Sequence, residues 1–222
     1  AGQLLGGPKR EGRVGDFKLH NSRVGFIIAG TRLQSGVFMY GGVVEEAGLL
    51  KPEAGGARWY TLLGDTAPGL YKGGDPLLGM RMLAPVSAEI IKDGSGGEAI
   101  VRIRSRDAAW PELEEVTTMK TRAHRVKAIT DYILRPDTNV LEIRFTFINA
   151  AKSGQVLSVA QMFLSGDGSA HFLPGHGFDI GAAEGKDFPM FTDVGGGVSY
   201  AWYPETGSVA INQAVSRRLV TT

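Results

Sequence analysis

The residues best suited to chemistry lie close together in one stretch, GDGSAHFLPGHGFD, which holds Asp167, His171, His176 and Asp179. Imidazole and carboxylate groups together suit Zn²⁺, and Asp167-Gly168-Ser169 offers oxygens of the kind Ca²⁺ takes. Pro174, Gly175 and Gly177 would let such a loop fold both histidines toward one point. The same two histidines, with a carboxylate such as Asp167 or Glu184, are the only pairing that would serve general acid–base work. The spacing between them matches no helical or strand ligand pattern. Two loop histidines, one packing on Phe172 or Phe178, is the plainer expectation.

A second set is basic. Arg102, Arg104 and Arg106 alternate with Val101, Ile103 and Ser105, which places the three guanidinium groups on one face of a strand. Lys120, Arg122 and His124 repeat the pattern, and pairing of the two strands would build a patch for an acidic polymer or protein surface. Glu112, Glu114 and Glu115 lie between them in sequence and would neutralise it. An ordinary solvated face explains the alternation equally well. A third set is aromatic: Trp59, Tyr60, Trp110, Trp202 and Tyr203. Flat rings pack against the C–H faces of sugars, and Trp110, beside Pro111, and Trp202, at a strand end, are expected at the surface. Against this stands the usual place of Trp in a core. No Gly-x-Ser-x-Gly elbow and no P-loop occurs, and Gly195-Gly196-Gly197 reads as a turn because no helix follows it.

The totals bound the answer. The 222 residues suit one large β domain, and 43% hydrophobic content supplies a core without staples. The net charge of +1 argues against a nucleic-acid binder. There is no Cys, which removes disulfides, thiolate metal sites and thiol nucleophiles. No run reaches the ~18 apolar residues of a membrane span. The 32 glycines cluster between apolar runs, as many tight turns require. The opening AGQLLGGPKREG reads as a flexible segment, residues 1–15, of the sort left after processing of an exported chain. The ending on Arg217-Arg218-Leu219-Val220-Thr221-Thr222 carries no stop signal, as in a fragment of a longer protein.

The elements that must hold these residues are strands. The strongest signal is a hairpin over Ile129–Asn149, with its turn at Arg135-Pro136-Asp137-Thr138-Asn139. In its second arm Leu141, Ile143, Phe145 and Phe147 face one way, and Glu142, Arg144 and Thr146 the other. Phe17–Ala29 predicts another hairpin, and Val86–Lys92 with Ala99–Arg106 a third around Asp93-Gly94-Ser95-Gly96-Gly97. Further strands are expected over Gly36–Val44, Arg58–Leu63, Val116–Val126 and Val156–Leu164, with a final pair over Val198–Tyr203 and Val209–Val215. Pro52–Gly56, Gly64–Gly79 and Ser165–Gly177 read as loops, and Trp110–Glu115 as a single helical turn. About eleven to thirteen strands at this spacing predict an all-β antiparallel sandwich, one domain over residues 16–222 with long Gly-rich loops.

Two stretches resemble galactose-mutarotase-like supersandwich domains. TDYILRPDTNVLEIRFTFIN is similar to their "TY-x-L" strand, short turn and "L-x-I-x-x-x-x-x-N" strand. GDFKLHNSRVGFIIAG followed by SGVFMYGGVVEEAGLL resembles their opening hairpin and Gly-Gly strand. This opening is also similar to N-terminal β modules of large exported bacterial proteins, some with a metallohydrolase domain downstream. The resemblance implies a supersandwich, and it implies a catalytic His on the strand after that Asn. Here Gln161 takes the position, within Val159-Ala160-Gln161-Met162-Phe163, and an amide cannot act as acid or base near neutral pH. The expectation is therefore a non-catalytic, extracellular, periplasmic or surface module that binds carbohydrate or a cell-surface polymer. Ligand contacts are expected from Trp59, Trp110, Trp202, Gln161, Arg102, Arg104 and Arg122. Two other outcomes are an epimerase- or lyase-like enzyme using His171 and His176, and a self-assembling structural subunit.

Overall fold

The computed structural model describes residues 5, 11–34, 38–53, 56–61, 63–71, 79–118, 120–165, 169–178, 184–186, 190–193, 197–205, 210–213 and 219–221. The chain is all-β and antiparallel. Its described strands form three sheets. The first runs β1 (Phe17–His20), β2 (Val24–Ile28), β3 (Val44–Glu53), β4 (Gly56–Thr61) in that order. The second and largest needs β5 (Leu63–Tyr71), β6 (Arg81–Asp93), β7 (Ala99–Ala108), β8 (Val126–Leu134), β9 (Leu141–Asn149) and β10 (Ser158–Ser165). It is completed by β13 (Glu184–Lys186), β16 (Ala210–Gln213) and β17 (Leu219–Thr221), in the order β13-β16-β17-β10-β5-β6-β7-β8-β9. The third sheet is β12 (Gly177–Phe178), β11 (Ser169–Leu173), β14 (Met190–Asp193), β15 (Val198–Ala201). A short helix, α1 (Pro111–Thr117), links β7 to β8. No described helix is long and apolar enough to cross a membrane.

The period-2 pattern explains the layering. Opposite residues of a ladder share a face, so Val101 and Ile103 of β7 stand with Tyr132 and Thr130 of β8, while Arg102 and Arg104 point the other way. Val101, Ile103, Tyr132 and Leu134 bury against Leu19, Val24, Ile28 and Val44 of the first sheet, with Phe163 and Leu173 completing the cluster. The opposite face carries its own core under β5, β6 and β10: Ala67, Met82, Ala160 and Met162 pack with Phe38, Met80 and Trp110. The large sheet is therefore covered on both sides at β5, β6 and β10, while β7 alternates between core and water.

Buried and turn side chains tie the layers, Tyr132 and Asn21 among them. Tyr132 Oη, in a fully buried ring, donates to the Gly42 carbonyl at 2.8 Å, and burial pushes its hydroxyl pKa up. Asn21 closes the β1–β2 turn by accepting from the N–H groups of Arg23 and Val24 at 2.8 and 2.9 Å. Its amide then donates to the carbonyls of Arg135 and Thr138, at 3.0 and 2.8 Å, which joins this turn to that of the central hairpin.

The predicted hairpins form. β8 and β9 pair without a break from Val126–Asn149 to Leu134–Leu141, and Asp137 takes the left-handed φ of 56° that its turn demands. The β6–β7 loop has Gly94 and Gly97 at φ 88° and 112°. Several expectations need correction. Gly36–Val44, of which Gly36 and Val37 lie outside the described residues, is not one strand: Val44 begins β3, and a bend at Gly42–Val43 precedes it. β3 and β4 extend through most of the expected Pro52–Gly56 loop. The Gly64–Gly79 stretch holds β5, and Ser165–Gly177 holds β11 and β12. Turn-forming residues in these stretches were outweighed by the ladder bonds of neighbours distant in sequence. The expected final pair is also different: β15 pairs with β14, whereas β16 pairs with β13 and β17.

Val116–Val126 is corrected as well. Pro111 at the first helical position and Glu112 and Glu114 in the first turn favour α1, which runs to Thr117 and ends on Thr118 at φ 56°. Lys120 to Arg125 pair with no described strand, because side chains take backbone groups there. Arg81 Nη1 donates to the Thr121 carbonyl at 2.9 Å, Asp107 Oδ2 accepts from His124 N at 2.6 Å, and Gln155 Nε2 donates to the His124 carbonyl at 2.8 Å.

Before β1, the chain is held to β3 by carboxylates. Glu46 Oε1 accepts from the N–H groups of Glu11 and Gly12, each at 2.5 Å. Asp16 accepts from Gly30 N at 2.8 Å and from Arg32 at 3.1 and 2.9 Å, and Arg32 also donates to Glu45 Oε1 at 2.5 Å. Burial opposes ionisation of Asp16, but Arg32 and the Gly30 and Arg13 N–H groups outweigh it and hold its carboxyl below the usual range. Burial dominates at Glu45 and raises its pKa, against Arg32. The signs are opposite. Stability from Asp16 is present above its unfolded pKa and is lost as pH falls through the depressed folded value. That from protonating Glu45 is present below its unfolded pKa and is lost as pH rises through the raised one. Asp16→Asn is thus expected to destabilise by about 1–3 kcal/mol at neutral pH, and Glu45→Gln by less. Urea midpoints at neutral and mildly acidic pH check this; equal losses from both variants would contradict it.

Candidate functional site

A cleft of about 320 Å³ opens between β2 and β3 on one side and the start of β9 with β15 on the other. Its walls come from alternation again: Phe26, Ala47 and Leu49 from the first sheet, Leu141 and Ile143 from the central hairpin. Tyr200, Trp202 and Tyr203 close it from the third sheet and the residues after β15. Trp202 stands edge-on to Phe163, with ring centroids 4.9 Å apart at 63°. This contact fixes the indole while leaving it half-buried. Tyr200 Oη donates to the Ala47 carbonyl at 2.8 Å, which locks β15 to β3 and orients the ring. Tyr203 is 54% exposed at the mouth.

The cleft is poor in reactive groups. Among its described lining residues there is no Asp, Glu, His, Lys or Arg. Two of its hydroxyls are already committed, Thr66 Oγ1 to the Val44 carbonyl at 3.1 Å and Ser199 Oγ to Thr192 at 2.7 Å. Such a surface can seat the apolar face of a ligand, with Asn139 and the Tyr203 hydroxyl left at its edge for polar contacts.

The sequence-predicted residues are scattered. Trp202 lines the cleft. Trp110, expected at the surface, is 5% exposed; it packs in the second core with its ring centroid 5.9 Å from that of Phe38. Trp59 lies on β4, its side chain outside what is described. Gln161 is buried on β10, on the face it shares with Phe163, and its Nε2 donates to the Met162 carbonyl at 3.3 Å.

The basic strand is real but its neighbour is not the expected one. Arg102, Arg104 and Arg106 do share a face, and β7 lies between β6 and β8. Arg102 grips Asp131 with two bonds, at 2.7 and 2.8 Å, and Arg104 donates to Glu89 at 3.1 Å. Lys120, Arg122 and His124 fall in the segment held by side chains, so no second basic strand lies alongside. Alternation alone does not show that the strands opposite bring Asp131 and Glu89.

His171 is buried on β11 opposite Phe191, and His176 is exposed in the turn after it. Asp167 and Asp179 lie outside the described residues, and of Glu184 on β13 the side chain does. Among the described residues no three His, Asp or Glu groups gather as a metal site. The cleft aromatics Tyr200 and Tyr203 are contiguous with Trp202 in sequence, and the run Tyr200-Ala201-Trp202-Tyr203 was the available signal. No protein-family model matches the chain, and no curated protein matches its sequence.

Proposed function

We propose that the protein is a non-catalytic binding module whose ligand presents a flat apolar face to Trp202, with a carbohydrate or cell-surface polymer as the ligand class. The observation that carries this reading is the aromatic cleft itself: about 320 Å³, walled by Tyr200, Trp202 and Phe26. That volume falls at the lower end of small-ligand sites, which run from ~300 to ~1,000 Å³. A pyranose ring fits the combination of ring faces below and a few polar groups at the rim. The carboxylates Asp16, held below its ordinary range, and Glu45, pushed above it, belong to the N-terminal clamp and supply no acid–base pair to the cleft. The supersandwich resemblance, with Gln161 in place of histidine, agrees with binding without turnover, and the same reading puts the module at or beyond the cell envelope.

The test is a glycan array followed by titration of tryptophan fluorescence. A bound oligosaccharide should shift Trp202 emission. Tyr203→Ala, at an exposed ring, should weaken binding about two- to tenfold, from ~0.5–1.5 kcal/mol of stacking. Trp202→Phe, which keeps a ring against Phe163, should weaken it further. Wild-type protein that binds no glycan, or binds with Tyr203→Ala and Trp202→Phe both unchanged, would refute the reading.

A further inference from the structure

β9 is the last strand of the large sheet, and no described strand lies on its outer side. Nine residues of backbone edge are long for a natural sheet margin, which is commonly shortened, bulged or covered. Its side chains add to the exposure. Phe147 and Ile148 are 38% and 44% exposed, and Phe145 and Phe147 stack at 5.9 Å.

Two copies of a strand can pair antiparallel only in registers that set like faces together. The charges choose among them. Centring the pair on Arg144 would place the two Arg144 guanidinium groups face to face. Centring it on Phe145 sets Arg144 against Thr146 and Glu142 against Ile148. Centring it on Ile143 sets Glu142 against Arg144 twice, once on each side of the axis, and Leu141 against Phe145 on the other face. Within one chain Glu142 already accepts from Arg144 at 2.6 Å and from Arg135 at 2.9 Å, so the partner's Arg144 would join a carboxylate that already faces cations at this edge.

We propose that β9 is a self-association edge. A second copy of this chain pairs with it about a two-fold axis at Ile143, joining the two nine-stranded sheets, with Glu142 of each copy opposite the partner's Arg144. Backbone hydrogen bonds over Leu141–Phe145 of the two copies hold the pair, with Phe147 and Ile148 beyond its end, and the charges fix its register. The pairing shares Leu141 and Ile143 with the cleft wall but none of its aromatics, and Glu142 and Arg144 do not line the cleft, so failure of the pairing would leave the binding reading intact.

Sedimentation velocity over a wide concentration range tests the pairing. Wild-type protein should show a monomer–dimer equilibrium. Arg144→Glu places like charges opposite one another at two symmetric points and should weaken dimerisation about tenfold or more. Glu142→Arg should do the same. The double variant carrying both changes restores opposite charges and should recover dimerisation. Arg104→Glu, on β7 and away from the edge, should leave it unchanged. Circular dichroism confirms that each variant is folded; Arg144 and Arg104 are exposed and Glu142 is half-buried. A wild-type protein that stays monomeric overturns the proposal. So does a dimer indifferent to the single changes, a double variant no better than the singles, or an equal loss from Arg104→Glu.

Discussion

Trp110→Ala is expected to cost about 3–5 kcal/mol of stability, the range for removing a large buried aromatic. The indole fills the space between Phe38 and the methionines Met80, Met82 and Met162, with Leu113 of α1 and Tyr40 at its border. Methionine is adaptable, so part of the cavity will close by side-chain movement, and the loss should sit toward the lower end. The cluster lies on the face of the large sheet opposite the cleft. Ligand binding should therefore persist in the folded fraction. A urea midpoint checks the first statement and a titration at low temperature the second. A variant of wild-type stability that had lost ligand binding would return Trp110 to the surface role its sequence position predicts.

Gly42→Ala should be nearly as damaging, though it adds only one methyl group. Gly42 has φ +77°, in the left-handed region that costs a side-chain-bearing residue about 1–2 kcal/mol. Its added Cβ would lie 2.8 Å from Ile103 Cγ2 and 3.1 Å from Pro85 Cβ. Ile103 is fully buried and cannot yield without disturbing the main core. Overpacking of that kind adds about 1–3 kcal/mol. The Gly42 carbonyl also accepts the Tyr132 hydroxyl, so a shift of the bend strains that bond between the layers. Chemical denaturation should show a loss of about 2–5 kcal/mol. Tyr132→Phe is the companion measurement: it removes that bond without the clash and should cost less, about 1–3 kcal/mol. A Gly42→Ala protein as stable as the wild type would mean that the bend is not pinned between Ile103 and Pro85.

The parts of this fold that could be read from sequence are those in which partner strands are neighbours. β8 and β9 announce themselves through Pro136-Asp137 and the alternation from Leu141 to Phe147, and β6 and β7 through Asp93-Gly94. What could not be read is pairing at a distance. β5 carries Pro68 and Gly69, which locally favour a turn, yet both residues sit in the ladder with β10. Likewise the segment after Thr118 has strand-like alternation, and only the placement of Arg81, Asp107 and Gln155 keeps it out of a ladder. At the cleft, Trp202 was foreseen as an exposed aromatic; that Phe163 and Ala47 would position it and Tyr200 was not, because neither contact is local. Trp110 failed for the converse reason, since a Trp-Pro pair in a connection gives no hint of the methionines that cover it.

The order of strands in the large sheet also bears on how the chain finds its fold. Tyr71 of β5 pairs with Ser158 of β10, so the two central strands meet only after everything between them has been made. That closure would be costly if the intervening chain were loose, because the entropy of joining two ends grows with the length between them. It is not loose: β6, β7, β8 and β9 pair each with the next, and hairpins of this kind form early and independently of distant contacts. A zipped meander shortens the effective loop to a few strand widths. The same hairpins that were legible in the sequence are thus the ones that bring β5 and β10 within reach of each other.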